Sequence, residues 1–222
     1  MNTAEMPFNE KERISALKKY RLLDTPPDGS FERLTQLAAT LFNVPIAIIS
    51  LVDSDRIWFK SHYGLPINQI DREPGLCASA ILSNDTYVVE NAKTDPRTLA
   101  NPLVAGDFGL RFYAAAPLQT EENYNLGTLC IIDKQPRTFS EEQQHILKQM
   151  AAIVMDEMEM RLVIRDTAQT IQKLSTDISV HLKDTITQLK AAPENSNSTQ
   201  LTDYLEATRL YISNIENRLD NL

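Results

Sequence analysis

Hydrophobic residues recur every three or four positions along the C-terminal third of the chain. The region from 140 to 192 contains no Gly or Pro, and it opens with Ser140 and Gln143 at the spacing of a capping box. About fifty residues of helix would extend roughly 75 Å. The pattern therefore predicts one long amphipathic helix. Its apolar stripe is Leu147, Met150, Val154, Met158, Leu162, Ile171, Leu174, Ile178, Leu182, Ile186 and Leu189.

Two shorter amphipathic helices are predicted near the N terminus. Asn9 and Glu12 have the spacing of a helix cap, and the turn-forming residues 24–29 end this first helix. A second helix is predicted from about Ser30 to Phe42. We expect residues 1–8 to be flexible.

The middle of the chain has the pattern of β-strands. Residues 46–52 are apolar enough for a central strand, and a short Asp/Ser turn joins them to residues 57–63 in a predicted hairpin. Residues 86–90 predict a short strand, and residues 112–118 and 126–132 predict a second hairpin. An antiparallel sheet flanked by helices is an α+β fold.

Composition narrows the class of protein. The chain has 222 residues, 42% of them hydrophobic, and a formal net charge of -8. This acidic balance disfavours nucleic acid and anionic lipid as partners. We find neither a run of about 20 apolar residues nor the basic and then apolar layout of a signal peptide. We therefore expect a cytoplasmic protein without membrane insertion.

A series of short motifs runs through the first two thirds of the chain. They are NEKER at 9–13, YRLLDTPP at 20–27, SLVD at 50–53, WFK at 58–60, NPLV at 101–104, RFYA at 111–114, APL at 116–118 and LGTLCIID at 126–133. In this order they resemble a subclass of GAF domains that is commonly fused to sensor histidine kinases and diguanylate cyclases. The resemblance covers residues 9–159. It implies an antiparallel sheet of about five or six strands, with helices including the first and last on one side and a small-molecule pocket on the other.

Residues near such a pocket can be predicted from the resemblance and from their chemistry. Ser79 stands where the family often has His, and Ala115 where it often has Gly. An Arg that opens a strand can pair with a ligand anion, and aromatic side chains supply flat apolar area. The alternative is structural, with Arg111 paired with an acidic neighbour such as Asp107. The predicted pocket residues are Trp58, His62, Cys77, Ser79, Arg111, Tyr113 and Cys130.

The two cysteines, Cys77 and Cys130, allow several interpretations. Both lie in apolar contexts without metal-ligand spacing, so buried reduced thiols are the default. Related photoreceptor domains attach a bilin to a cysteine between the third and fourth strands, but residues 91–110 contain no Cys, and we expect no bilin. Some small GAF proteins resemble free methionine sulfoxide reductases, which need a thiolate and a resolving cysteine. A thiol reductase is therefore an alternative.

The C-terminal region resembles a second family. Residues 179–187 lie over the phosphoacceptor box of histidine-kinase dimerisation domains, with Val180 at the position of the phosphorylated His and His181 one position beyond. Residues 193–198 predict a loop, and residues 199–222 a second helix. Two narrow apolar stripes bury themselves in a dimeric four-helix bundle rather than in a lone hairpin.

Together these patterns predict a non-enzymatic signal-transduction sensor. A GAF domain at 9–159 is joined by a long helix at 140–192 to a degenerate kinase-type hairpin without an ATP-binding domain. We expect a homodimer through residues 140–222 that contacts a histidine kinase or response regulator of a two-component pathway. The alternatives are phosphotransfer through His181 and thiol reduction through Cys77 and Cys130. We predict no cofactor and no metal site.

Overall fold

The computed structural model describes residues 6–191 and 198–219. The chain divides into two units, Met1–Met160 and Arg161–Leu222. Residues 193–197 of the predicted loop lie outside the described residues, as do residues 1–5 and 220–222. The predicted α+β fold is confirmed.

The first unit is built on a six-stranded antiparallel sheet with the order β3-β2-β1-β6-β5-β4. Both predicted hairpins are confirmed, because β1 pairs with β2 and β5 pairs with β6, while β1 and β6 pair in the centre. A Cβ atom on Gly127 would lie 1.9 Å from the Ser50 carbonyl oxygen, so this central pairing requires glycine. The strands are β1 (Ile46–Val52), β2 (Arg56–Tyr63), β3 (Gln69–Asp71), β4 (Tyr87–Val89), β5 (Phe112–Gln119) and β6 (Asn125–Asp133).

The four longer helices agree with the predicted periodicity. The short elements β3 and α4 were not predicted, because three or four residues carry too little periodicity. The helices are α1 (Glu10–Tyr20), α2 (Ser30–Leu41), α3 (Leu76–Ala80), α4 (Pro102–Ala105), α5 (Glu141–Ala191) and α6 (Ser198–Leu219).

The two predicted helix caps differ in outcome. The capping box of α5 is confirmed, since the Ser140 amide donates to Gln143 Oε1 at 3.0 Å and the Gln143 amide donates to Ser140 Oγ at 3.2 Å. The predicted side-chain cap of α1 is wrong. Asn9 makes no side-chain capping bond, and its backbone carbonyl accepts from the Arg13 amide at 2.9 Å.

Each face of the sheet has its own core. On one face α1 packs on β6, and α2 packs on β1 and β2. On the other face α3 packs against β1, β5 and β6. The first part of the α5 stripe, Leu147 to Met158, is buried inside this first unit. The second face of the sheet is therefore covered by α3 and by the segment around α4. The candidate site lies on this face.

The second unit contains the rest of α5 together with α6. Leu174 is buried there, and the rings of His181 and Tyr211 stack with centroids 3.9 Å apart. None of the helices in the described ranges is long and apolar enough to cross a membrane.

Candidate functional site

Three sulfur- and hydroxyl-bearing side chains meet on the second face of the sheet. Tyr113 in β5 pairs with Ile132 in β6, and Ala115 pairs with Cys130, so strand alternation turns Tyr113 and Cys130 to the same face. Helix α3 places Cys77 over them. The Sγ atoms of Cys77 and Cys130 lie 4.0 Å apart, and the Tyr113 hydroxyl donates to Cys77 Sγ at 3.2 Å.

The two thiols are not equivalent. The hydrogen bond from Cys130, assisted by the hydroxyls of Ser50, Tyr113 and Thr128, lowers the pKa of Cys77 to about 6 against the opposing effect of burial. The same contact with Cys77, together with burial, raises the pKa of Cys130. Cys77 is therefore the more acidic thiol, because it accepts the hydrogen bond from Cys130 while the same contact holds the proton on Cys130.

A cavity of about 100 Å³ lies beside Cys77 and Tyr113. Its walls are apolar, and among the described residues that line it none is charged. Ile67 lies at its rim and is 43% exposed, so the cavity reaches the surface. Such a space suits a small, largely apolar molecule. Its apolar lining includes Ile48, Phe59, Leu65, Leu103, Phe108 and Ile132.

A second depression, a groove of about 760 Å³, is more polar, and Trp58, Lys60 and His62 line it. Lys60 Nζ lies 3.0 Å from Asp28 Oδ2 and donates to Thr25 Oγ1 at 2.9 Å and to the Pro26 carbonyl at 3.1 Å. An ammonium group has three protons, so these contacts leave none for a ligand.

The seven predicted pocket residues thus separate into groups. Cys77, Tyr113 and Cys130 come together, whereas Trp58 and His62 lie along the groove. Ser79 is exposed and lines neither the cavity nor the groove.

Arg111 has a different partner from the one suggested by the sequence. Its Nη1 donates to the carbonyls of Val104 and Leu110 at 2.9 and 2.8 Å, and not to Asp107. The guanidinium therefore holds the segment after α4 in place. Val104 lies in α4 and Leu110 directly precedes Arg111, and both carbonyls are within hydrogen-bond distance of the guanidinium.

Several site residues were missed by the sequence analysis. Ser50 and Thr128 lie in adjacent central strands with their hydroxyl oxygens 2.9 Å apart, and both hydroxyls help to lower the pKa of Cys77. Leu103 and Phe108 reach the cavity from the segment between β4 and β5. A polar residue within an apolar strand, as at Ser50, was the available signal.

The predicted phosphoacceptor region lies in the second unit. Val180 is exposed, whereas His181 is covered by Tyr211 and its Nε2 is buried without a hydrogen-bond partner in the described structure. In the described ranges, no group of three or more His, Cys, Asp or Glu side chains is placed to hold a metal ion.

Comparison with known proteins identifies the family. The model of the GAF domain matches residues 26–158. Over 156 residues, or 70% of this chain, the sequence is 40% identical to the cyclic di-GMP phosphodiesterase PA2567 of Pseudomonas aeruginosa. The chain spans 27% of the length of that relative.

Two solved structures share the fold at low sequence identity. The GAF domain of a phosphoenolpyruvate-protein phosphotransferase from Acinetobacter is 18% identical, with a TM-score of 0.51, over 69% of this chain and 95% of that one. The free methionine-R-sulfoxide reductase from Neisseria meningitidis, in complex with its substrate, is 19% identical, with a TM-score of 0.50, over 72% of this chain and 96% of that one.

These comparisons correct one expectation and establish another. The prediction of a non-enzymatic protein is contradicted, because the relative at 40% identity is named as an enzyme, a phosphodiesterase. The predicted sheet, its flanking helices and the match over residues 26–158 agree with one another. The chain belongs to the GAF domain family.

Proposed function

We propose that this chain is a GAF-type sensor of a cyclic di-GMP pathway, in which occupancy of the cavity beside Cys77 and Tyr113 controls cyclic di-GMP breakdown. The observation that carries the proposal is the apolar cavity, which ends on one polar group, the Tyr113–Cys77 hydrogen bond. Similarity to a protein named cyclic di-GMP phosphodiesterase supports the choice of pathway.

The chemistry of the cavity suggests a ligand different from the dinucleotide. Phosphate groups are recognised by Arg, Lys or backbone amides, and the lining residues described include no charged side chain. A space of about 100 Å³ suits a molecule of a few heavy atoms. The cavity is therefore suited to a small apolar regulator, while the dinucleotide would bind elsewhere in the pathway.

The connection that leads into α5 supports a route for the signal. The Arg137 amide donates to the Glu90 carbonyl at 3.0 Å, and the Phe139 amide donates to Glu90 Oε1 at 2.7 Å. Glu90 directly follows β4, the edge strand in which Val89 pairs with Tyr113 of β5, so the segment that leads into α5 is tied to that edge of the sheet. A ligand that prefers one arrangement of these segments would shift their equilibrium by its difference in affinity.

A homodimer is part of this proposal. Ile164, Ile171, Leu182 and Ile186 of α5 are each at least half exposed, at 61%, 54%, 53% and 50%. At about 100° per residue they lie within roughly 60° of one another around the helix. An aliphatic stripe of this kind is self-complementary across a two-fold axis, and a second copy of the chain would bury it.

The finer part of the proposal is a degenerate kinase-type hairpin within residues 140–222, which would contact a histidine kinase or a response regulator. Its support is the likeness of residues 179–187 to the phosphoacceptor box. Phosphotransfer through His181 is less well supported, because Tyr211 stacks on the imidazole and Nε2 is buried. A thiol reductase is also less favoured, because the similarity to the reductase structure shows the fold alone.

Cavity filling tests the proposed function. Leu65 lines the cavity near its rim, so Leu65→Trp would occupy the space. The full chain is expressed in a bacterial host, and cellular cyclic di-GMP is measured against an empty vector. We expect wild type to change the concentration and Leu65→Trp to abolish the change. The matched control Leu82→Trp, at a partly exposed leucine outside the cavity, should behave as wild type.

Two outcomes would contradict the proposal in different ways. If wild type leaves cyclic di-GMP unchanged, the pathway is wrong. If Leu65→Trp acts like wild type while its folded state is intact by circular dichroism, the cavity has no role in control.

A further inference from the structure

We propose that Cys77 and Cys130 form a peroxide-reactive thiol pair, a modification site that closes to an intramolecular disulfide. The pair is brought together across 53 positions of sequence, with the sulfur atoms 4.0 Å apart in the interior. The inference rests on this geometry and does not depend on the proposed function.

The cavity provides access for the oxidant. Cys77 lines it, and the partly exposed Ile67 lies at the same cavity's rim, so a small neutral molecule can reach the sulfur from solvent. Cys130 is fully buried and is not among the lining residues. A volume of about 100 Å³ accepts hydrogen peroxide, which is little larger than water. Glutathione disulfide is too large and too highly charged for an apolar space of this size.

The hydrogen bonds assign different roles to the two sulfurs. The Tyr113 hydroxyl donates to Cys77 Sγ, which stabilises the negatively charged thiolate. The larger contribution comes from the Cys130 hydrogen bond, and together these contacts lower the pKa of Cys77 to about 6. They favour the thiolate of Cys77, which is the nucleophile. Cys130 keeps its proton and can supply it in the second step. Tyr113 is a positioning residue for the first.

The reaction has two balanced steps. In the first, the Cys77 thiolate attacks one peroxide oxygen, an S–O bond forms, the O–O bond breaks and hydroxide leaves. Cys77 is thereby oxidised by two electrons to sulfenic acid. In the second, the Cys130 sulfur attacks the Cys77 sulfur, an S–S bond forms and the S–O bond breaks. The departing hydroxyl takes the Cys130 proton and leaves as water.

Oxidation of the full-length wild-type chain is the primary test. The protein is treated with hydrogen peroxide, quenched, denatured and alkylated, and its intact mass is measured. Because the chain has two cysteines, an unalkylated monomer that has lost two hydrogen atoms contains this disulfide. We expect that product, and its reversal by dithiothreitol. Two alkylated thiols after treatment, or a disulfide-linked pair of chains, would overturn the proposal.

Variants test the roles of the individual groups. Cys130→Ser should stop at a sulfenic acid that a cyclic diketone traps, whereas Cys77→Ser should form neither product at the same peroxide dose.

Tyr113→Phe tests the positioning role. It should slow oxidation roughly tenfold at neutral pH, because a hydrogen bond to a charged group is lost, and should shift the pH profile of the rate to higher pH. Tyr87→Phe is the matched control, since the Tyr87 ring packs edge-to-face with the Tyr113 ring but does not line the cavity. Equal rates for Tyr113→Phe and wild type would remove the positioning role.

Discussion

Lys60 is a charged side chain buried beneath the segment that joins α1 to α2. Its ammonium contacts Asp28, Thr25 and the Pro26 carbonyl, and it lies 5.3 Å from the centre of the Phe31 ring. A buried cation is tolerated when its hydrogen bonds are satisfied. Lys60 therefore attaches this segment to β2.

Replacing Lys60 tests that role at the residue scale. We expect Lys60→Met to lower the free energy of unfolding by about 2 to 3 kcal/mol, because the hydrogen bonds are lost while Asp28 loses its cation. Urea denaturation followed by tryptophan fluorescence measures this, since Trp58 lies close by. The exposed Lys93, changed to Met, should shift stability by less than about 0.5 kcal/mol. Equal effects of the two substitutions would contradict the assignment.

Glu10 joins two buried arginines. Its carboxylate accepts from Arg13 Nε at 2.7 Å and from Arg72 Nη1 at 2.5 Å. Desolvation of Glu10 acts to raise its pKa, but the hydrogen bonds and attraction of both arginines outweigh it and hold the pKa below its ordinary value. The folded state thus binds the Glu10 proton less tightly than the unfolded state does.

This lowered pKa predicts a pH-dependent stability. The contribution of Glu10 is complete above its unfolded-state pKa of about 4.3 and is lost as the pH falls through the lower folded-state value. Glu10→Gln should therefore cost about 2 kcal/mol at pH 7, and its difference from wild type should shrink below pH ~4. Denaturation curves across pH measure this. Glu12→Gln, at an exposed site in α1, should differ little from wild type at any pH. If the difference in free energy of unfolding between Glu10→Gln and wild type does not change with pH, the predicted effect of the Glu10 pKa on stability is wrong.

At the scale of elements, the start of α5 depends on its capping box. Ser140 and Gln143 satisfy each other's amides at the N terminus of this helix. Ser140→Ala should lower the free energy of unfolding of the first unit by about 1 kcal/mol, because one amide loses its acceptor. Chemical denaturation monitored at Trp58 measures the loss. Ser15→Ala, on the exposed face of α1, is the matched control and should be neutral or slightly stabilising; a similar loss there would show that the cap is unimportant.

At the scale of the whole molecule, the exposed aliphatic face of α5 predicts assembly. Sedimentation equilibrium should give twice the chain mass of 25.1 kDa for wild type. Ile164→Glu should return the mass to that of one chain, because a charge in an apolar seam is costly to desolvate. Gln169→Glu adds the same charge at another exposed position of the helix and should leave the dimer intact. A wild-type monomer, or a dimeric Ile164→Glu variant, would contradict the proposed interface.

The sequence alone was sufficient for most elements because periodicity is a local property. Alternation and apolar runs located β1 and the β5–β6 hairpin, and the Ser140–Gln143 spacing located the start of α5. The motifs at 50–53 and 126–133 also indicated the family, which the match over residues 26–158 then established. The absence of enzymatic character could not be determined in this way, and that prediction was wrong.

The candidate site was decided by contacts between distant segments. Strand register placed Tyr113 and Cys130 on one face, but the docking of α3 was needed to bring Cys77 within 4.0 Å. The same packing separated Trp58 and His62 from that site. A local sequence pattern predicts which face of an element is apolar, whereas the tertiary structure determines which residues that face contacts. The residues therefore determined the elements, whereas packing across the sheet determined the thiol pair and the cavity.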